Sequence, residues 1–343
     1  MTLVIKKLEV GDETQWDDYA NRAGASIYHV SKWRHLIKKV FGHDAYYLYA
    51  TDGDKIRGIL PLINLKSRLF GNFLVSMPYF NYGGVVADND ETGSLLLMEA
   101  GKLQDSLNTT HVELRELGER DNDLPVRTDK VTMLLELPSD PDELWKSIGA
   151  KRRAQAKRPI REGVEFVVGG KELLDDFYSV FSINMRDLGT PVYSKSLFSS
   201  IIEVFPDEAF ISVVKLNGEA VAAGFLIGWK GKLEIPWAST LRKVNRIGVN
   251  MYLYWNILKT AIEKGYKIFD FGRSSKDAGT LKFKKQWGAK ETQLYWRYLM
   301  EPEKTLPGLN PSNPKFKLAI AGWKRLPLPI VNLLGPFIVK GLP

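Results

Sequence analysis

One order of predicted elements occurs twice in this sequence, and the repetition constrains the fold more than any other feature. In the second half, AFISVVKL (209–216) and EAVAAGFLIG (219–228) are predicted strands joined by the turn Asn217-Gly218, and a third strand, KLEIPWAST, follows. Residues 249–264 then place apolar side chains on one helical face. A last strand, KIFDFG, comes directly after this helix.

The first half repeats this order of elements. Strands at AYYLYA, KIRGILPLI and NFLVS precede a predicted helix near residues 93–107 and the strand HVELR. Corresponding elements lie about 156 to 164 residues apart. Three antiparallel strands, a helix and a returning strand, used twice, predict an α+β chain of two tandem domains with mixed, mostly antiparallel sheets. Two such domains are able to enclose a cleft.

Length and charge divide the chain in the same way. A chain of 343 residues exceeds one comfortable hydrophobic core. We predict a first domain at 1–137, a second at 138–300 that contains a basic helix, and a tail at 301–343 rich in proline and glycine. Their net charges are −4, +8 and +4, and the total is +8. The basic second half indicates either an anionic partner or a solvated basic face.

Several classes of protein are excluded by what the sequence lacks. It has no cysteine, and its four histidines show no metal-type pairing with carboxylates. Nucleotide-binding glycine motifs and the G-x-S-x-G elbow are absent as well. The N-terminus lacks the apolar segment of a signal peptide, and no run of about 18 apolar residues occurs. We therefore expect a soluble, cytoplasmic protein with no metal and no tightly bound cofactor.

Two basic stretches are candidate contacts for anions. The stretch DFGRSSKDAGTLKFKKQWGA carries five cationic side chains, Arg273, Lys276, Lys282, Lys284 and Lys285. It predicts a loop that either clamps a polyanionic substrate, neutralises charge in a reaction, or exposes lysines to solvent. Between the halves, six of the eleven residues 151–161 are basic. Arg153, Lys157 and Arg161 share a helical face there, either for phosphate or nucleic-acid contact or as a solvated surface.

Weaker sequence patterns identify further candidate functional residues. Tyr79, Asn81 and Tyr82 precede the first predicted long helix, where they either line a cleft or pack as aromatic residues. Arg186 and Asp187 stand beside a Gly-Thr-Pro turn, and we favour a functional role for them. Asp270 is available either as a general base or as an anchor of the loop that follows it.

Motifs of the second half resemble those of the FemAB family of peptidyl and aminoacyl transferases. These motifs are W-A-S-T, Trp255, D-F-G, and F-K-x-x-W-G at Phe283, Lys284, Trp287 and Gly288. RDLGTPVY and the end of the tail resemble the branch associated with exosortase (PEP-CTERM) and exopolysaccharide systems. The resemblance implies two tandem acetyltransferase-like (GNAT) domains and acyl transfer to an amine, with aminoacyl-tRNA as donor in the best-known members. It also implies that Lys284 lies near the reacting ester or a substrate phosphate.

The expected function is thus transfer of an aminoacyl or other acyl group to an amine of a cell-envelope or exopolysaccharide-related precursor. Lys284 and Asp270 are the catalytic candidates, and the candidates for substrate contact are Arg273, Lys282, Arg186, Tyr193, Trp237 and Asn250. One alternative is an acyl-CoA-dependent N-acetyltransferase, although residues 245–250 lack the [QR]-x-x-G-x-[GA] signature of a pyrophosphate loop. Another is a non-catalytic binding module for an anionic glycan or nucleic acid, tRNA included.

The tail has two alternative placements. It alternates apolar residues with a few lysines and is too short and too interrupted to span a bilayer. Either it packs on the basic domain as an extended clamp, or it makes peripheral contact with an anionic inner-membrane surface. In the second case Trp323, Lys324 and Arg325 lie at the level of the headgroups.

Overall fold

The computed structural model describes residues 3–68, 70–120, 123–276, 279–301, 305–307 and 314–342. The chain divides into two compact units. Unit 1 comprises Met1–Lys130, Gln293–Gly308 and Lys340–Pro343, and unit 2 comprises Val131–Thr292 and Leu309–Val339. The chain therefore passes from unit 1 to unit 2 twice and returns to unit 1 each time, first at Gln293 and then at Lys340. The predicted ranges 1–137, 138–300 and 301–343 did not include these returns.

Unit 1 is built on an eight-stranded mixed sheet with helices. The strand order is β1-β2-β3-β4-β6-β15-β7, and β5 pairs with β3. The strands are β1 Leu3–Lys7, β2 Asp44–Asp52, β3 Lys55–Ser67, β4 Gly71–Val75, β5 Val86–Ala87, β6 Val112–Glu116, β7 Val126–Arg127 and β15 Tyr295–Leu299. The helices are α1 Glu13–Arg22, α2 Lys32–Phe41 and α3 Asp90–Ser106.

Unit 2 has a seven-stranded mixed sheet in the order β14-β8-β13-β12-β11-β10-β9. Its strands are β8 Lys130–Glu136, β9 Val164–Gly169, β10 Ala209–Leu216, β11 Glu219–Trp229, β12 Lys232–Thr240, β13 Ile268–Ser275 and β14 Lys290–Gln293. Its helices are α4 Pro141–Ser147, α5 Gly149–Lys157, α6 Leu174–Leu188, α7 Lys195–Val204, α8 Val249–Glu263, α9 Gly279–Lys285, α10 Pro314–Trp323 and α11 Leu328–Val339.

The predicted repetition is confirmed. Strands β2, β3 and β4 pair antiparallel in unit 1, and β10, β11 and β12 do so in unit 2. In each unit a long helix, α3 or α8, then leads to a strand that pairs parallel to the third strand of the set. The α+β class with mixed, mostly antiparallel sheets is therefore confirmed.

An aromatic cluster joins the sheet of unit 2 to α6 and α7. Phe177 and Phe181 of α6 and Phe198 of α7 lie with ring centroids 4.8 to 5.5 Å apart. Phe198 also contacts Phe225 of β11 and Trp237 of β12. Because such rings bury large apolar areas, this cluster fixes β12, which carries part of the candidate site.

The end of the chain is helical, which corrects the expectation of an extended clamp. Leucine, isoleucine and valine dominate α11, and its buried residues Val331, Gly335 and Val339 recur every four residues, as they do along one face of a helix. Helix α11 packs against α6. A Cβ added at Gly335 would lie 2.8 Å from Val192 Cγ2 and from the Val192 backbone nitrogen, so only glycine allows this approach.

We expect Gly335→Ala to push α11 away from the segment at Val192 and to lower the free energy of unfolding by about 1–3 kcal/mol, the usual cost of overpacking. Gly322→Ala in α10 is the matched control, because a Cβ there meets no described atom within 4 Å. Alanine in place of an exposed helical glycine should leave stability unchanged or raise it by up to about 1 kcal/mol. Thermal denaturation compares the two variants, and equal melting temperatures would contradict the close packing.

None of the described helices combines the length and the apolar content that a bilayer-spanning segment requires.

Candidate functional site

The candidate site of unit 2 begins where two parallel strands separate. Strands β12 and β13 pair over three positions only, and Glu234 opposite Asp270 is the last pair. Both strands continue beyond this point, β12 to Thr240 and β13 to Ser275. On its other side β12 has an irregular register with β11 between Phe225 and Ile227. Such irregularities bend a strand, and this one falls next to Glu234, where the pairing of β12 with β13 ends.

Asp270 is fully buried at the point of separation, and three groups bind its carboxylate. Thr132 Oγ1 donates to Oδ1 at 2.7 Å, the Gly272 N–H donates to the same oxygen at 2.8 Å, and Lys232 Nζ lies 2.7 Å from Oδ2. These contacts match the role of an anchor, the second of the two roles predicted for Asp270. They hold β8, β12 and the bend of β13 together.

Gly272 supplies that bend. Its φ of +73° lies in the left-handed region, where side chains with a Cβ are strained. Successive carbonyls of a regular strand point in opposite directions, but here the carbonyls of Gly272 and Arg273 both accept from the same amine. The D-F-G motif is therefore a carboxylate anchor followed by the glycine that the bend requires.

Lys284 of α9 provides this amine. Its Nζ donates to Gly272 O at 2.8 Å and to Arg273 O at 3.0 Å, and the residue is only 7% exposed. Burial lowers the pKa of Lys284 to about 8, because desolvation disfavours the ammonium form. Asp270 and Glu234 oppose this shift, whereas Arg273 adds to it. On the order of a tenth of the molecules thus carry a neutral amine at pH 7.

This lowered pKa predicts how stability depends on pH. Between about pH 8 and the ordinary value of 10.5 the unfolded chain keeps the Lys284 proton that the folded protein has lost. Raising the pH through this window therefore favours the folded state, by up to about 3 kcal/mol for the full shift. We expect the stability of the wild type relative to Lys284→Met, measured by urea denaturation, to rise between pH 8 and 10.5. A constant difference would contradict the lowered pKa.

The F-K-x-x-W-G motif holds Lys284 in place. Phe283 packs edge to face on Tyr254 of α8, with ring centroids 4.9 Å apart, and contacts Trp287. Trp287 is itself buried, and Gly288 follows with a φ of +89°. The aromatic residues on either side of Lys284 thus anchor α9 to the core while the lysine reaches β13.

Sequence analysis missed Glu234 as a member of this site. It is buried on β12 opposite Asp270 and contributes to the electrostatic environment of Lys284. The sequence did offer one indication, because Glu234 is an acidic residue between the apolar residues Leu233 and Ile235 of a predicted strand. Glu234 adds a second carboxylate to the point of separation.

The other predicted residues of unit 2 fall into separate groups. Arg273 and Lys282 are exposed on the same segment as Lys284. Tyr193 packs edge to face on Trp237, with centroids 5.8 Å apart. Asn250 Oδ1 accepts from the Thr240 hydroxyl at 3.2 Å, so this residue joins the end of β12 to the start of α8.

Arg186 and Asp187 form an ion pair with each other at 2.9 Å, and both are only partly buried. Arg242 Nη2 also donates to the Asp187 carbonyl oxygen at 2.8 Å. The sequence favoured a functional role for this pair because a buried turn seldom needs both charges. The turn is partly exposed and the two charges bind each other, so this reason does not apply, and a functional role for the pair stays a prediction.

The basic segment between the halves differs from a single helix. Gly149, with a φ of +79°, separates α4 from α5, and α5 ends at Lys157. Arg161 lies in a following 3₁₀ turn that contains Pro159, so it does not continue the helical face of Arg153 and Lys157. Arg153 Nη1 donates to the carbonyl of Lys146 at 3.0 Å, and Lys157 Nζ lies over the Trp145 ring.

Helix α5 packs against α8, which begins within residues 245–250, the stretch that lacks the pyrophosphate-loop signature. Residues Arg242–Ile247 form a 3₁₀ turn, and Gly248 leads into α8 with a φ of +84°. A Cβ added at Gly248 would lie 3.2 Å from the carbonyl oxygen of Gln155 in α5. The carbonyl oxygen of Gln155 thus lies close to Gly248, the residue that precedes α8.

The three predicted residues of unit 1 have structural partners there. The Tyr79 hydroxyl donates to the Lys340 carbonyl at 2.8 Å, and the Tyr79 ring stacks on Phe41. Tyr82 is buried beside Tyr28 and lines a pocket of ≈ 390 Å³ near Arg115 and Arg120. Asn81, which lies between Tyr79 and Tyr82 in the sequence, is partly buried. For Tyr79 these contacts match the predicted alternative of aromatic packing.

Comparison with known proteins identifies the class of the fold. Residues 149–285 match the model of the acetyltransferase (GNAT) domain family. The match lies within unit 2 and includes Glu234, Asp270 and Lys284, whereas Trp287 and Gly288 lie just beyond it. No curated protein matches the chain.

Three solved structures illustrate the similarity. FemX is 15% identical, with a TM-score of 0.64, and the match covers 85% of this chain and 96% of FemX. The C-terminal domain of a putative lysylphosphatidylglycerol synthetase from Agrobacterium fabrum is 14% identical, with a TM-score of 0.59 and 96% of each chain covered. A tandem GNAT protein from the clavulanic acid biosynthesis pathway is 12% identical, with a TM-score of 0.56. The match covers 88% of this chain and 100% of the tandem GNAT protein.

These similarities establish the fold. The protein has a GNAT-like α+β fold, its structural neighbours include a tandem GNAT protein, and unit 2 carries the matched acetyltransferase-type domain. The tandem GNAT-like architecture expected from the resemblance is confirmed.

Proposed function

We propose that the protein is an N-acyltransferase that uses unit 2 to transfer an acyl group to an amine. The observation that carries this proposal is Lys284, a buried amine held on two β13 carbonyls where β12 and β13 separate, within the matched GNAT domain. Acyl transfer needs a group that stabilises the developing oxyanion and a group that accepts the proton of the amine. The neutral form of Lys284 accepts the proton of the attacking amine, and the ammonium so formed stabilises the oxyanion and returns the proton to the oxygen that leaves the donor.

The proposed donor is an aminoacyl ester such as aminoacyl-tRNA, as in the FemAB family, rather than acyl-CoA. The missing loop signature at residues 245–250 disfavours a CoA pyrophosphate at the start of α8. The exposed cations Lys157, Arg161, Arg273 and Lys282 suit a nucleic-acid backbone. The structural similarity to FemX is consistent with this choice.

The proposed acceptor is an amine on a cell-envelope or exopolysaccharide-related precursor, and the proposed location is the cytoplasm. Support comes from the motifs W-A-S-T, D-F-G, F-K-x-x-W-G and RDLGTPVY, which resemble the FemAB family and its PEP-CTERM-associated branch. The A. fabrum neighbour is a domain of a putative lysylphosphatidylglycerol synthetase, and phosphatidylglycerol is a membrane lipid, which supports an acceptor in the cell envelope.

A donor panel tests the proposal. The purified chain is incubated with aminoacylated tRNA, deacylated tRNA or acetyl-CoA, and thermal stability and acyl transfer to added amines are both measured. We expect stabilisation and transfer with aminoacylated tRNA and neither with acetyl-CoA. Stabilisation and transfer with acetyl-CoA would replace the donor assignment by the CoA-dependent alternative. Equal stabilisation by both tRNA forms without transfer to any amine would favour the binding module.

A further inference from the structure

Helix α11 exposes a continuous apolar stripe, defined by Ile330, Leu333, Leu334 and Phe337. These residues follow the spacing i, i+3, i+4 and i+7, which places them on one helical face. Their exposed fractions are 40%, 65%, 44% and 68%. Single exposed apolar side chains are ordinary, but four on one face of one helix are typical of an interaction surface.

The face of α11 opposite the stripe packs against unit 2, so the stripe faces away from the unit. Val331 and Val339 are buried, and the close approach of Gly335 to Val192 holds the helix against unit 2. The stripe is therefore presented by a docked helix and does not belong to a free tail. Leu318 of α10 adds a further side chain that is 77% exposed.

The charged residues of the segment that carries the stripe have one sign. Residues 314–343 contain five lysine or arginine residues and no aspartate or glutamate. Of these, Lys317, Lys324 and Arg325 are exposed on α10 and in the turn that follows it. An apolar stripe on a segment whose charged residues are all cationic complements a surface that is apolar below and anionic above, as an anionic lipid bilayer is.

We propose that α11 docks unit 2 onto an anionic lipid surface, with the stripe in the headgroup–acyl boundary and the three cations among the headgroups. The 12 residues of α11 measure about 18 Å, shorter than the hydrocarbon core of about 30 Å, so the helix lies along the surface. This inference is independent of the acyl-transfer proposal, because it uses none of the residues around Lys284.

Co-sedimentation of the full chain with lipid vesicles tests the inference. One set of vesicles contains phosphatidylcholine alone, and the other contains phosphatidylglycerol in addition. We expect the wild type to pellet with the anionic vesicles only, and to pellet less at high salt. Replacing both Leu333 and Phe337 by serine should weaken binding at least about tenfold, because each loses the transfer energy of a large apolar side chain.

Two further variants sharpen the result. Lys324→Glu with Arg325→Glu should also weaken binding about tenfold or more, at roughly 1 kcal/mol for each charge near the surface. Met98→Ser is the matched control, because Met98 is 56% exposed on α3 in unit 1, and its binding should equal that of the wild type. Thermal melting verifies that all the variants are folded.

Three outcomes would overturn the inference. The first is the absence of wild-type pelleting with anionic vesicles. The second is equal pelleting of the wild type and the Leu333/Phe337 variant. The third is a change of oligomeric state in that variant, seen by light scattering, without any vesicle binding by the wild type; this would assign the stripe to contact with a second copy of the chain.

Discussion

Replacing Lys284 by methionine is expected to reduce acyl transfer by about 10²-fold or more while the protein remains folded. The reason is that both proposed tasks, stabilising the oxyanion and accepting a proton, depend on one amine. This amine lies where the pairing of β12 with β13 ends. General acid–base catalysis alone contributes on the order of 10² to 10⁴ in rate. Methionine has a similar length and fills the buried space, so the main loss is that of the amine.

The measurement is kcat/KM with the donor identified by the panel, together with a thermal melt. Lys285→Met is the matched control, because Lys285 is the neighbouring residue, is exposed and pairs with Glu291. Lys284→Arg separates the two tasks, since arginine keeps the charge but stays protonated at every accessible pH. Wild-type turnover in a folded Lys284→Met protein would reduce Lys284 to a structural role.

Replacing Asp270 by alanine is expected to have the largest effect on stability, a loss of about 3 kcal/mol. The change removes a fully buried carboxylate together with its bonds to Thr132, Gly272 and Lys232. This loss is at the lower end of the range for breaking a buried ion pair, because the partner Lys232 is partly exposed to water and keeps some hydration when the carboxylate is removed. Urea denaturation followed by circular dichroism measures the difference.

An exposed ion pair provides the control for this experiment. Glu219 lies 2.9 Å from Lys243, and both side chains are mostly exposed. Glu219→Ala should therefore cost less than about 1 kcal/mol. If Asp270→Ala were no more destabilising than Glu219→Ala, Asp270 would not be the anchor of β13, and its role as a general base would regain support.

Local sequence patterns were sufficient for the repeated core of each unit. The strands at 209–216 and 232–240 were predicted with the bounds that β10 and β12 have, because alternating apolar residues and the Asn217-Gly218 turn are local signals. The short strands β7, β14 and β15 carry no such signal. Their pairing depends on contacts with residues far along the chain, so their place in the sheets could not be predicted.

The candidate site was predictable only in part. Lys284, Arg273 and Asp270 were identified from their motif, but the motif does not reveal burial. The lowered pKa of Lys284 follows from its position inside the bend at Gly272, which depends on the conformation of one glycine and on the neighbouring strands. Glu234 was missed for the same reason, since its importance comes from the residue opposite it in β13. The tail was expected to be extended because its prolines and glycines obscured the helical spacing of α11.

The return of the chain to unit 1 has a consequence for the order of folding during synthesis. Strand β15, at Tyr295–Leu299, lies between β6 and β7 in the sheet of unit 1. When the ribosome has completed residues 1–130, this sheet still has a vacant position between two of its strands. The larger part of unit 2, Val131–Thr292, is synthesised before that position is filled, although domains commonly fold in the order in which they emerge. The unit that begins first is thus completed last, and a fragment that stops before Tyr295 would carry open strand edges that favour aggregation.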